Sequence, residues 1–288
     1  MTVGLIGVGT MGRIVAAALR RAGHPVLAYD PDPEAQRRAR EAGARVVTTT
    51  GDLGIGAEVV LLSVPRPQDV RTVVVELLAR PVQGLIIVDT STVDPATTRE
   101  MAAAAQRRGV GYLDAPILGR PASAGQWTVV VGGEAAVLER ARPVLETFAA
   151  RVVHLGPSGS GHTLKLLNQM MFATINAVTA EVLAIAAKLG LPPALFVDVI
   201  ATSGAATASG LFREIGTKIA RRDFAPVFPV DLLCKDTELA LEMAREGGAP
   251  AVVTGLVQTL NQLARSRGAG SLDTAALVQV YEALLATA

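Results

Sequence analysis

The start of the chain combines a short apolar run with a cluster of glycines. Val3-Gly4-Leu5-Ile6 is typical of a buried strand, and Gly7-Val8-Gly9-Thr10-Met11-Gly12 follows it directly. The run from Met11 to Arg21 then has the periodicity of a helix. A glycine turn between a strand and a helix lets backbone N–H groups at the helix N-terminus bind a pyrophosphate. We therefore predict dinucleotide contacts at Gly7, Val8, Gly9, Thr10, Met11 and Gly12.

Each glycine of this turn has its own mechanical role. Gly7 permits the tight turn, Gly9 lets the backbone approach the pyrophosphate, and Gly12 allows helix and strand to pack closely. The glycine spacing alone is weak support for such a site. Its position after a strand at the start of the chain makes the prediction specific.

An acidic residue ends the second predicted strand, Val26 to Tyr29. Asp30 lies at about the distance along the chain at which a carboxylate accepts hydrogen bonds from the adenosine ribose. Because Asp30 would repel a 2′-phosphate, we predict NAD in preference to NADP. Arg37 and Arg38 lie in the following helix, either as solvated surface residues or within reach of that phosphate.

The first half of the chain alternates short β-rich runs with amphipathic helical runs, from Thr2 to about Leu155. The predicted strands are Val3 to Gly7, Val26 to Tyr29, Val59 to Val64, Leu85 to Val88, Gly111 to Leu113 and Thr128 to Val131. The predicted helices are Met11 to Arg21, Pro33 to Ala42, Pro67 to Ala79, Pro95 to Arg108 and Glu134 to Phe148. This alternation indicates a doubly wound α/β fold, because parallel strands need helical crossovers.

The pattern changes after Gly156-Pro157-Ser158-Gly159, where clear strand runs end and long helical segments follow. We predict an α/β chain with a Rossmann-type dinucleotide-binding domain at residues 1–157. An all-helical substrate and dimerisation domain is predicted at residues 158–288. A long buried helix that begins near His162 is expected to join them, and the cleft between them to hold the chemistry.

Composition favours a compact protein that acts on a small molecule. The 288 residues include 27 Lys and Arg against 26 Asp and Glu. The resulting formal charge of +1 does not indicate the excess of positive charge that is typical of nucleic-acid binding. The single cysteine, Cys234, excludes an internal disulfide and fits a reducing compartment. Its default interpretation is a buried and inert thiol.

We expect a cytoplasmic protein without a membrane segment. The first strand begins at Val3, with no basic region, apolar signal core or small-residue cleavage site before it. Asn176 and Glu181 interrupt the longest apolar stretch, which therefore suits a buried helix better than a membrane span. The long helix and the Ala-rich C-terminal helices favour a homodimer or a dimer-based oligomer.

A second glycine turn precedes the most informative lysine of the chain, in Gly159-Ser160-Gly161-His162-Thr163-Leu164-Lys165-Leu166-Leu167-Asn168. A helix that begins near His162 places Lys165 and Asn168 on one face, where both can meet the same molecule. Residues 163–187 are apolar nearly all round, so an amine there is costly to bury and implies a function. The plainer alternative is a lysine that snorkels to the surface.

Two further strand ends belong beside the first glycine turn, because ligands of open α/β sheets bind at the carboxyl ends of strands. These are Ser63-Val64-Pro65 and Ser91-Thr92. We predict cofactor contacts at Val64, Pro65 and Thr92 and a substrate contact at Ser91. Ordinary turn chemistry before a helix is the alternative at both places, and helix capping is an equal alternative for Ser91-Thr92.

The order of these segments resembles the β-hydroxyacid dehydrogenase family, whose members include 3-hydroxyisobutyrate dehydrogenases and the tartronate semialdehyde and sulfolactaldehyde reductases. The resemblance covers nearly the full chain. The segments that carry it are Gly7 to Gly12, Asp89-Thr90-Ser91-Thr92-Val93-Asp94-Pro95, Asp114-Ala115-Pro116, Gly159 to Asn168, and Phe228-Pro229-Val230-Asp231-Leu232-Leu233-Cys234-Lys235-Asp236. Several motifs in one order are far more specific than a single motif.

The resemblance implies a role for each matched position. It makes Lys165 the catalytic lysine, Asn168 a substrate ligand, and Thr92 and Lys235 cofactor contacts from opposite sides of the cleft. Asp231, in the segment that contains Lys235, is predicted to contact substrate. Alcohol oxidation independently requires a base for the hydroxyl proton while nicotinamide takes the hydride. Without the resemblance, Lys235 would be interpreted as a solvent-facing lysine.

The loop from Asp114 to Trp127 departs from the family pattern. Leu118, Gly119 and Arg120 stand where the family typically has Ser-Gly-Gly, so the serine hydroxyl that would hold a substrate carboxylate is missing. A guanidinium can bind a carboxylate, sulfonate or phosphate through two parallel hydrogen bonds. We therefore predict substrate contacts at Gly119 and Arg120, with a water-facing arginine as the alternative.

The sequence thus predicts an NAD-dependent oxidoreductase that interconverts a small anionic 3-hydroxy acid and its semialdehyde, with Lys165 as general acid and base and no metal. The nearest alternative is an imine reductase-like or other carbonyl reductase, although such enzymes commonly lack a lysine at this position. A non-catalytic dinucleotide-binding redox sensor is the alternative from another class. The sequence leaves the substrate and the favoured reaction direction open.

Overall fold

The structure is a computed structural model that describes residues 1–205, 207 and 209–286. It forms two compact units, Met1–Lys165 and Leu166–Ala288. The first unit contains the β-sheet, and the second is helical throughout its described elements. The predicted fold class, a Rossmann-type sheet followed by an all-helical region, is confirmed. The functional domains at residues 1–157 and 158–288 stay a prediction.

The first unit, which is described in full, is built on a nine-stranded sheet. Its strands are β1 (Val3–Ile6), β2 (Val26–Tyr29), β3 (Arg45–Val46), β4 (Val59–Leu62), β5 (Ile86–Asp89), β6 (Gly111–Asp114), β7 (Ile117–Leu118), β8 (Trp127–Gly132) and β9 (Ala149–Gly156). The spatial order is β3-β2-β1-β4-β5-β6-β8-β7, with β9 beside β8. Strands β1 to β6 pair in parallel, whereas β6 and β7 run antiparallel to β8. Burial along β1, β4 and β5 is typical of parallel strands with both faces covered.

Helices connect these strands, and several of them begin at a proline or a capping side chain. They are α1 (Thr10–Arg21), α2 (Pro33–Glu41), α3 (Thr50–Gly56), α4 (Pro67–Leu77), α5 (Pro95–Gln106) and α6 (Ala135–Leu145). Proline is the first residue of α2, α4 and α5, where a backbone N–H has no intrahelical partner anyway. The side chains of Asp32 and Asp94 cap α2 and α5. These local signals explain why the predicted starts of the three helices agree with the structure.

The strand order changes direction at β1. β2 lies on one side of β1 and β4 on the other, so consecutive crossovers leave the sheet on opposite faces. In open α/β sheets the ligand crevice lies at the carboxyl ends of the strands beside such a reversal, which here are β1 and β4. Gly7 and Ser63 are the residues that follow these two strands.

The second unit packs helices around an apolar core. The long helix α7 (Ser160–Lys188) begins in the first unit and continues through the second. It is followed by α8 (Pro193–Thr202), α9 (Gly210–Ala220), α10 (Val230–Glu246), α11 (Val252–Ala264) and α12 (Val278–Ala286). Ala180 of α7, Ile215 of α9 and Leu233 of α10 are all fully buried in one cluster. The small side chains of α7 allow its neighbours to approach closely.

Some expectations about secondary structure are wrong. The sequence pattern does not predict β3, β7, β9 or α3, because β3 and β7 are only two residues long and β9 carries Arg151 and His154. Helix α7 is also less buried than its composition predicts. Leu167, Met171 and Val178 are 51%, 66% and 48% exposed, so one side of α7 presents apolar groups to the surroundings.

By length and hydropathy alone, α7 is the one helix in the described ranges that could cross a membrane. The core helix of a water-soluble protein passes the same test, so a single such helix is weak support for a membrane span. The cytoplasmic location stays a prediction.

Candidate active site

The glycine turn between β1 and α1 has the geometry that its glycines predict. Gly7 has a positive φ of 88°, and a Cβ there would lie 2.2 Å from the carbonyl oxygen of Ser63. A Cβ on Gly12 would lie 2.0 Å from the carbonyl oxygen of Gly7. A Cβ on Gly9 would meet no atom of the described chain within 4 Å. The fold therefore requires Gly7 and Gly12, whereas Gly9 borders open space.

The start of α1 suits an anion. Gly9 is the N-cap of this helix, and because it has no side chain it leaves the first backbone N–H groups to another partner. Gly9 and Thr10 are exposed, Met11 is half-buried and Val8 is buried. An approachable helix N-terminus stabilises negative charge. The residues present therefore fit the pyrophosphate of a dinucleotide.

Asp30 follows β2 and is 9% exposed. Its Oδ2 accepts a 2.8 Å hydrogen bond from the N–H of Val8, and its Oδ1 accepts a 2.9 Å bond from the N–H of Asp32. The carboxylate thus ties the glycine turn to the end of β2, a structural role that the sequence does not reveal. Each carboxylate oxygen has a second acceptor site, so these bonds are compatible with a ribose contact.

The two arginines of α2 lie next to carboxylates. Arg37 forms ion pairs with Glu34 and Glu41 on its own helix. Arg38 lies 3.7 Å from the carboxylate of Asp32 and 3.8 Å from that of Glu34. A 2′-phosphate would have to compete with these carboxylates for either guanidinium.

The ends of β4 and β5 are joined by hydrogen bonds. The N–H of Val64 donates to Oγ of Ser91 at 3.1 Å, and the N–H of Ser91 donates to Oδ1 of Asp89 at 3.0 Å. Ser91 is buried, Thr92 is half-buried and Pro65 is exposed. The structure therefore brings the two predicted strand ends together, while their roles toward a ligand stay predictions.

Asp114, the last residue of β6, organises the start of α7. It is fully buried, and its carboxylate accepts bonds from the N–H of Gly159 at 2.8 Å and of His162 at 3.1 Å. Burial raises the pKa of the Asp114 carboxyl above its ordinary value, against the opposing effects of His162 and the two N–H bonds. An acid on a strand end thus caps the first turn of the helix.

Lys165 is half-buried in the early turns of α7. Its Nζ donates a 2.9 Å hydrogen bond to the carbonyl oxygen of Ile117, the first residue of β7. This contact joins residues that are 48 positions apart in the chain. It holds the amine beside β7, which ends at Leu118 and is followed by Gly119 and Arg120.

The backbone of the loop after β7 is held by Trp127 and Ser123. Trp127, the first residue of β8, is fully buried, and its Nε1–H donates to the carbonyl oxygen of Arg120 at 2.8 Å. A Cβ on Gly119 would lie 2.2 Å from Cδ1 of the indole, so glycine is required against this ring. The Ser123 hydroxyl also accepts a hydrogen bond from the N–H of Arg120 and donates one to the carbonyl oxygen of Arg120. Arg120 itself is half-buried on this fixed backbone.

In the second unit, Lys235 belongs to a buried polar cluster. Its Nζ lies 2.7 Å from Oδ1 of Asp236, and its side chain is only 22% exposed, so it is not a simple solvent-facing lysine. Gln169 donates a hydrogen bond from Nε2 to the other oxygen of Asp236. The sequence does not identify Gln169, because no spacing rule pairs it with α10.

The two other predicted substrate contacts in this unit are exposed. Asn168 lies on α7 with its Nδ2 3.4 Å from Oε1 of Gln169, a weak contact. Asn168 therefore lies on an exposed face of α7. Asp231, in the first turn of α10, pairs with Arg265 at 3.0 Å. Their contacts with substrate stay predictions.

Cys234 is buried, as predicted, and burial raises the pKa of its thiol to about 11. A thiol with a raised pKa is a poor nucleophile at neutral pH. Across the described residues, no group of three or more His, Cys, Asp and Glu side chains is placed to hold a metal ion.

Comparisons with known proteins match both parts of the chain to families of nicotinamide dinucleotide-binding domains. Residues 2–156 match the family described as the NAD binding domain of 6-phosphogluconate dehydrogenase. Residues 159–281 match the family described as NAD-binding of NADP-dependent 3-hydroxyisobutyrate dehydrogenase. The chain is 31% identical over 285 residues to 2-(hydroxymethyl)glutarate dehydrogenase of Eubacterium barkeri, covering 97% of this chain and 94% of that protein.

Two further relatives cover almost the whole chain. A 3-hydroxyisobutyrate dehydrogenase of Pseudomonas aeruginosa is 34% identical over 291 residues, which cover 97% of this chain and 98% of that protein. The crystal structure of a 3-hydroxyisobutyrate dehydrogenase from Salmonella typhimurium aligns with a TM-score of 0.90 at 27% identity, covering 97% of this chain and 99% of that one.

The protein is an oxidoreductase that acts on CH–OH groups and has nicotinamide dinucleotide-binding domains. The chain belongs to the β-hydroxyacid dehydrogenase family, to which 3-hydroxyisobutyrate dehydrogenases belong. The resemblance drawn from the sequence motifs is thereby confirmed.

Proposed function

We propose that this protein is an NAD-dependent dehydrogenase that interconverts a small 3-hydroxy acid and its semialdehyde, with Lys165 as general acid and base. The hydrogen bond from Lys165 Nζ to the Ile117 carbonyl carries the proposal. It holds an amine beside the loop in which Arg120 provides a cation for an anionic substrate. An amine and a guanidinium near one short loop suit a molecule with a reacting oxygen and a carboxylate.

Each side chain of the proposed site has its own role in the reaction. A bound nicotinamide supplies the hydride acceptor or donor. In the oxidising direction, the neutral amine of Lys165 takes the hydroxyl proton of the substrate as the hydride leaves its carbon. In the reducing direction, the ammonium returns that proton to the carbonyl oxygen. The amide of Asn168, which both donates and accepts, orients the reacting oxygen.

Arg120 and Gly119 provide the specificity for an anion. Their backbone is fixed by the indole of Trp127, so the loop can bind a carboxylate without first being ordered. Ser91 and Asp231 complete the set of proposed substrate contacts. A sulfonate in place of the carboxylate offers the same hydrogen-bond acceptors to Arg120.

The preference for NAD over NADP rests on Asp30. Its carboxylate lies at the end of β2, and Arg37 and Arg38 already lie next to carboxylates of their own helix or its cap. Gly7 to Gly12 hold the pyrophosphate, and Val64, Pro65, Thr92 and Lys235 supply the remaining cofactor contacts. A kcat/KM that is higher with NADP than with NAD would contradict this preference.

Replacement of Lys165 tests the mechanism. We expect Lys165→Ala to lower kcat by about 10² to 10⁴, the effect of losing a positioned acid and base, while NADH binding is retained. Lys188→Ala is the matched control, because Lys188 is on the same helix and donates to the carbonyl of Leu285. An unchanged kcat in Lys165→Ala would exclude the proposed role.

A substrate panel tests the reaction. It contains 3-hydroxyisobutyrate, glycerate, 4-hydroxybutyrate, 2-(hydroxymethyl)glutarate and dihydroxypropanesulfonate, each assayed with NAD and with NADP. We expect turnover of at least one 3-hydroxy acid. Reduction of cyclic imines without turnover of any hydroxy acid would instead favour an imine reductase, and tight NADH binding without any turnover would favour a redox sensor.

We also infer a homodimer in the cytoplasm. The exposed apolar residues of α7, among them Leu167 and Met171, would be covered in a dimer. Light scattering during size-exclusion chromatography measures the mass directly, and a monomer at micromolar concentration would contradict the dimer.

A further inference from the structure

His162 is a buried histidine to which the proposed mechanism gives no part. It lies in the first turn of α7, and its side chain is fully buried. Its Nε2 lies 3.0 Å from the carbonyl oxygen of Ser91, and its Nδ1 lies 2.6 Å from Oγ1 of Thr98 on α5. The ring therefore connects the start of α7, the turn after β5 and helix α5.

The bond to Ser91 defines which ring nitrogen is the donor. A backbone carbonyl oxygen can only accept a hydrogen bond, so Nε2 of His162 carries a proton and donates it. In the neutral ring, Nδ1 then accepts from the hydroxyl of Thr98. With both nitrogens bonded in a buried place, the ring has one orientation, because turning it would leave buried polar groups unpaired.

This bond also determines the orientation of the next peptide. The Ser91 carbonyl and the Thr92 N–H belong to one planar trans peptide unit, so fixing the oxygen sets the direction of the N–H. Ser91 is held on its other side by the N–H of Val64, which donates to Oγ at 3.1 Å. Two proposed cofactor contacts, Val64 and Thr92, are thus linked to α7 through His162.

We infer that His162 is a positioning residue, whose Nε2–H bond to the Ser91 carbonyl orients the Ser91-Thr92 turn for the dinucleotide. The same bond couples this turn to the helix that carries Lys165. The inference rests on the proposed function, because that function assigns Thr92 to the cofactor. His162 acts through the Ser91-Thr92 peptide and takes no part in proton or hydride transfer.

Two amide variants distinguish the roles of the two ring nitrogens of His162. In His162→Gln the amide N–H reaches about as far as Nε2 and can still donate to Ser91, whereas in His162→Asn the amide reaches only about as far as Nδ1. We expect the Gln variant to bind NADH with a Kd within about threefold of wild type. The Asn variant should bind about tenfold or more weakly, which is the effect of losing one hydrogen bond. Fluorescence titration of NADH without substrate measures both values.

Thr98→Val is the matched control. It removes the hydroxyl bonded to Nδ1 of His162 and leaves the Ser91 bond in place, so its Kd for NADH should stay near that of wild type. The calorimetric Tm of each variant separates positioning from stability. If His162 were only structural, the Gln and Asn substitutions would lower Tm and leave the Kd of the folded protein unchanged. That result would overturn the inference.

Other outcomes are also decisive. If the Asn variant fails to fold, weak NADH binding by a folded Gln variant still contradicts the inference. A wild-type protein that binds NADH but oxidises no hydroxy acid would refute the proposed function and would not contradict the role of His162. Normal hydroxy acid turnover together with an unchanged Kd in His162→Asn would refute the role of His162 alone.

Discussion

The glycine turn after β1 and the loop after β7 are both short segments at strand ends, but they are specified differently. In the turn, Gly7 and Gly12 are required by backbone atoms that a Cβ would meet at 2.2 and 2.0 Å. In the loop, Gly119 is required by the side chain of Trp127, and the strand before it is held by Lys165 from α7. Local backbone sterics therefore specify the glycine turn, whereas long-range side-chain contacts specify the loop after β7.

The largest expected effect tests the turn. Gly12→Ala forces a Cβ against the carbonyl oxygen of Gly7, and backbone cannot move away as a flexible side chain can. We expect the free energy of unfolding to fall by about 3 kcal/mol or more, measured by urea denaturation.

Gly9→Ala is the control for that variant. A Cβ there meets no atom of the described chain within 4 Å, so stability should stay within about 0.5 kcal/mol of wild type. The added methyl group borders the proposed pyrophosphate site, so the Kd for NADH should rise about tenfold or more. Equal stabilities for the Gly12 and Gly9 variants would contradict the requirement for glycine at position 12.

The next effect concerns the loop. Arg120→Ala should raise KM for the hydroxy acid about a hundredfold, since two charge-assisted hydrogen bonds to the carboxylate are lost, with the NADH Kd unchanged. Arg120→Lys should recover only part of this loss, because an ammonium cannot bind a carboxylate in a fork. Arg107→Ala, an exposed arginine at the end of α5, should behave as wild type. An unchanged KM in Arg120→Ala would show that Arg120 does not bind the substrate carboxylate.

A smaller effect tests how the loop is held. Trp127→Phe keeps an aromatic ring in the core but removes the N–H that bonds to the Arg120 carbonyl. We expect the free energy of unfolding to fall by about 1–2 kcal/mol and KM for the hydroxy acid to rise a few-fold. If the variant changes the NADH Kd and leaves the substrate KM unaltered, the indole does not act on substrate binding through the loop after β7.

The smallest signal is a pH slope at Asp114, which lies just before the loop. Burial raises the folded pKa of this carboxyl above the ordinary 3.8, so the folded state binds more protons than the unfolded state in that window. Its contribution to stability is therefore complete below pH 3.8 and is lost as pH rises through the raised pKa. Asp114→Asn should lack this component, so its unfolding free energy between about pH 4 and pH 7 should decline less steeply than that of wild type. Parallel curves would contradict the assignment.

The accuracy of sequence-based inference differs between parts of the molecule. The starts of α2, α4 and α5 are signalled by proline at the first helical residue, and the structure agrees with them. The exposure of Asn168 is not signalled, because hydropathy averaged along α7 does not distinguish its faces. The bonds of His162 and Gln169 are equally hidden, since their partners are 71 and 67 positions away in the chain.

The fold class, the glycine turn and the family follow from sequence patterns alone, because each depends on a few neighbouring residues or on the order of motifs. Which groups hold those motifs in place depends on the tertiary structure. Asp30 ties the turn to β2, Asp114 caps α7, and Trp127 holds the backbone of Arg120. Such partners are chosen by packing in three dimensions. Distance along the chain does not encode them.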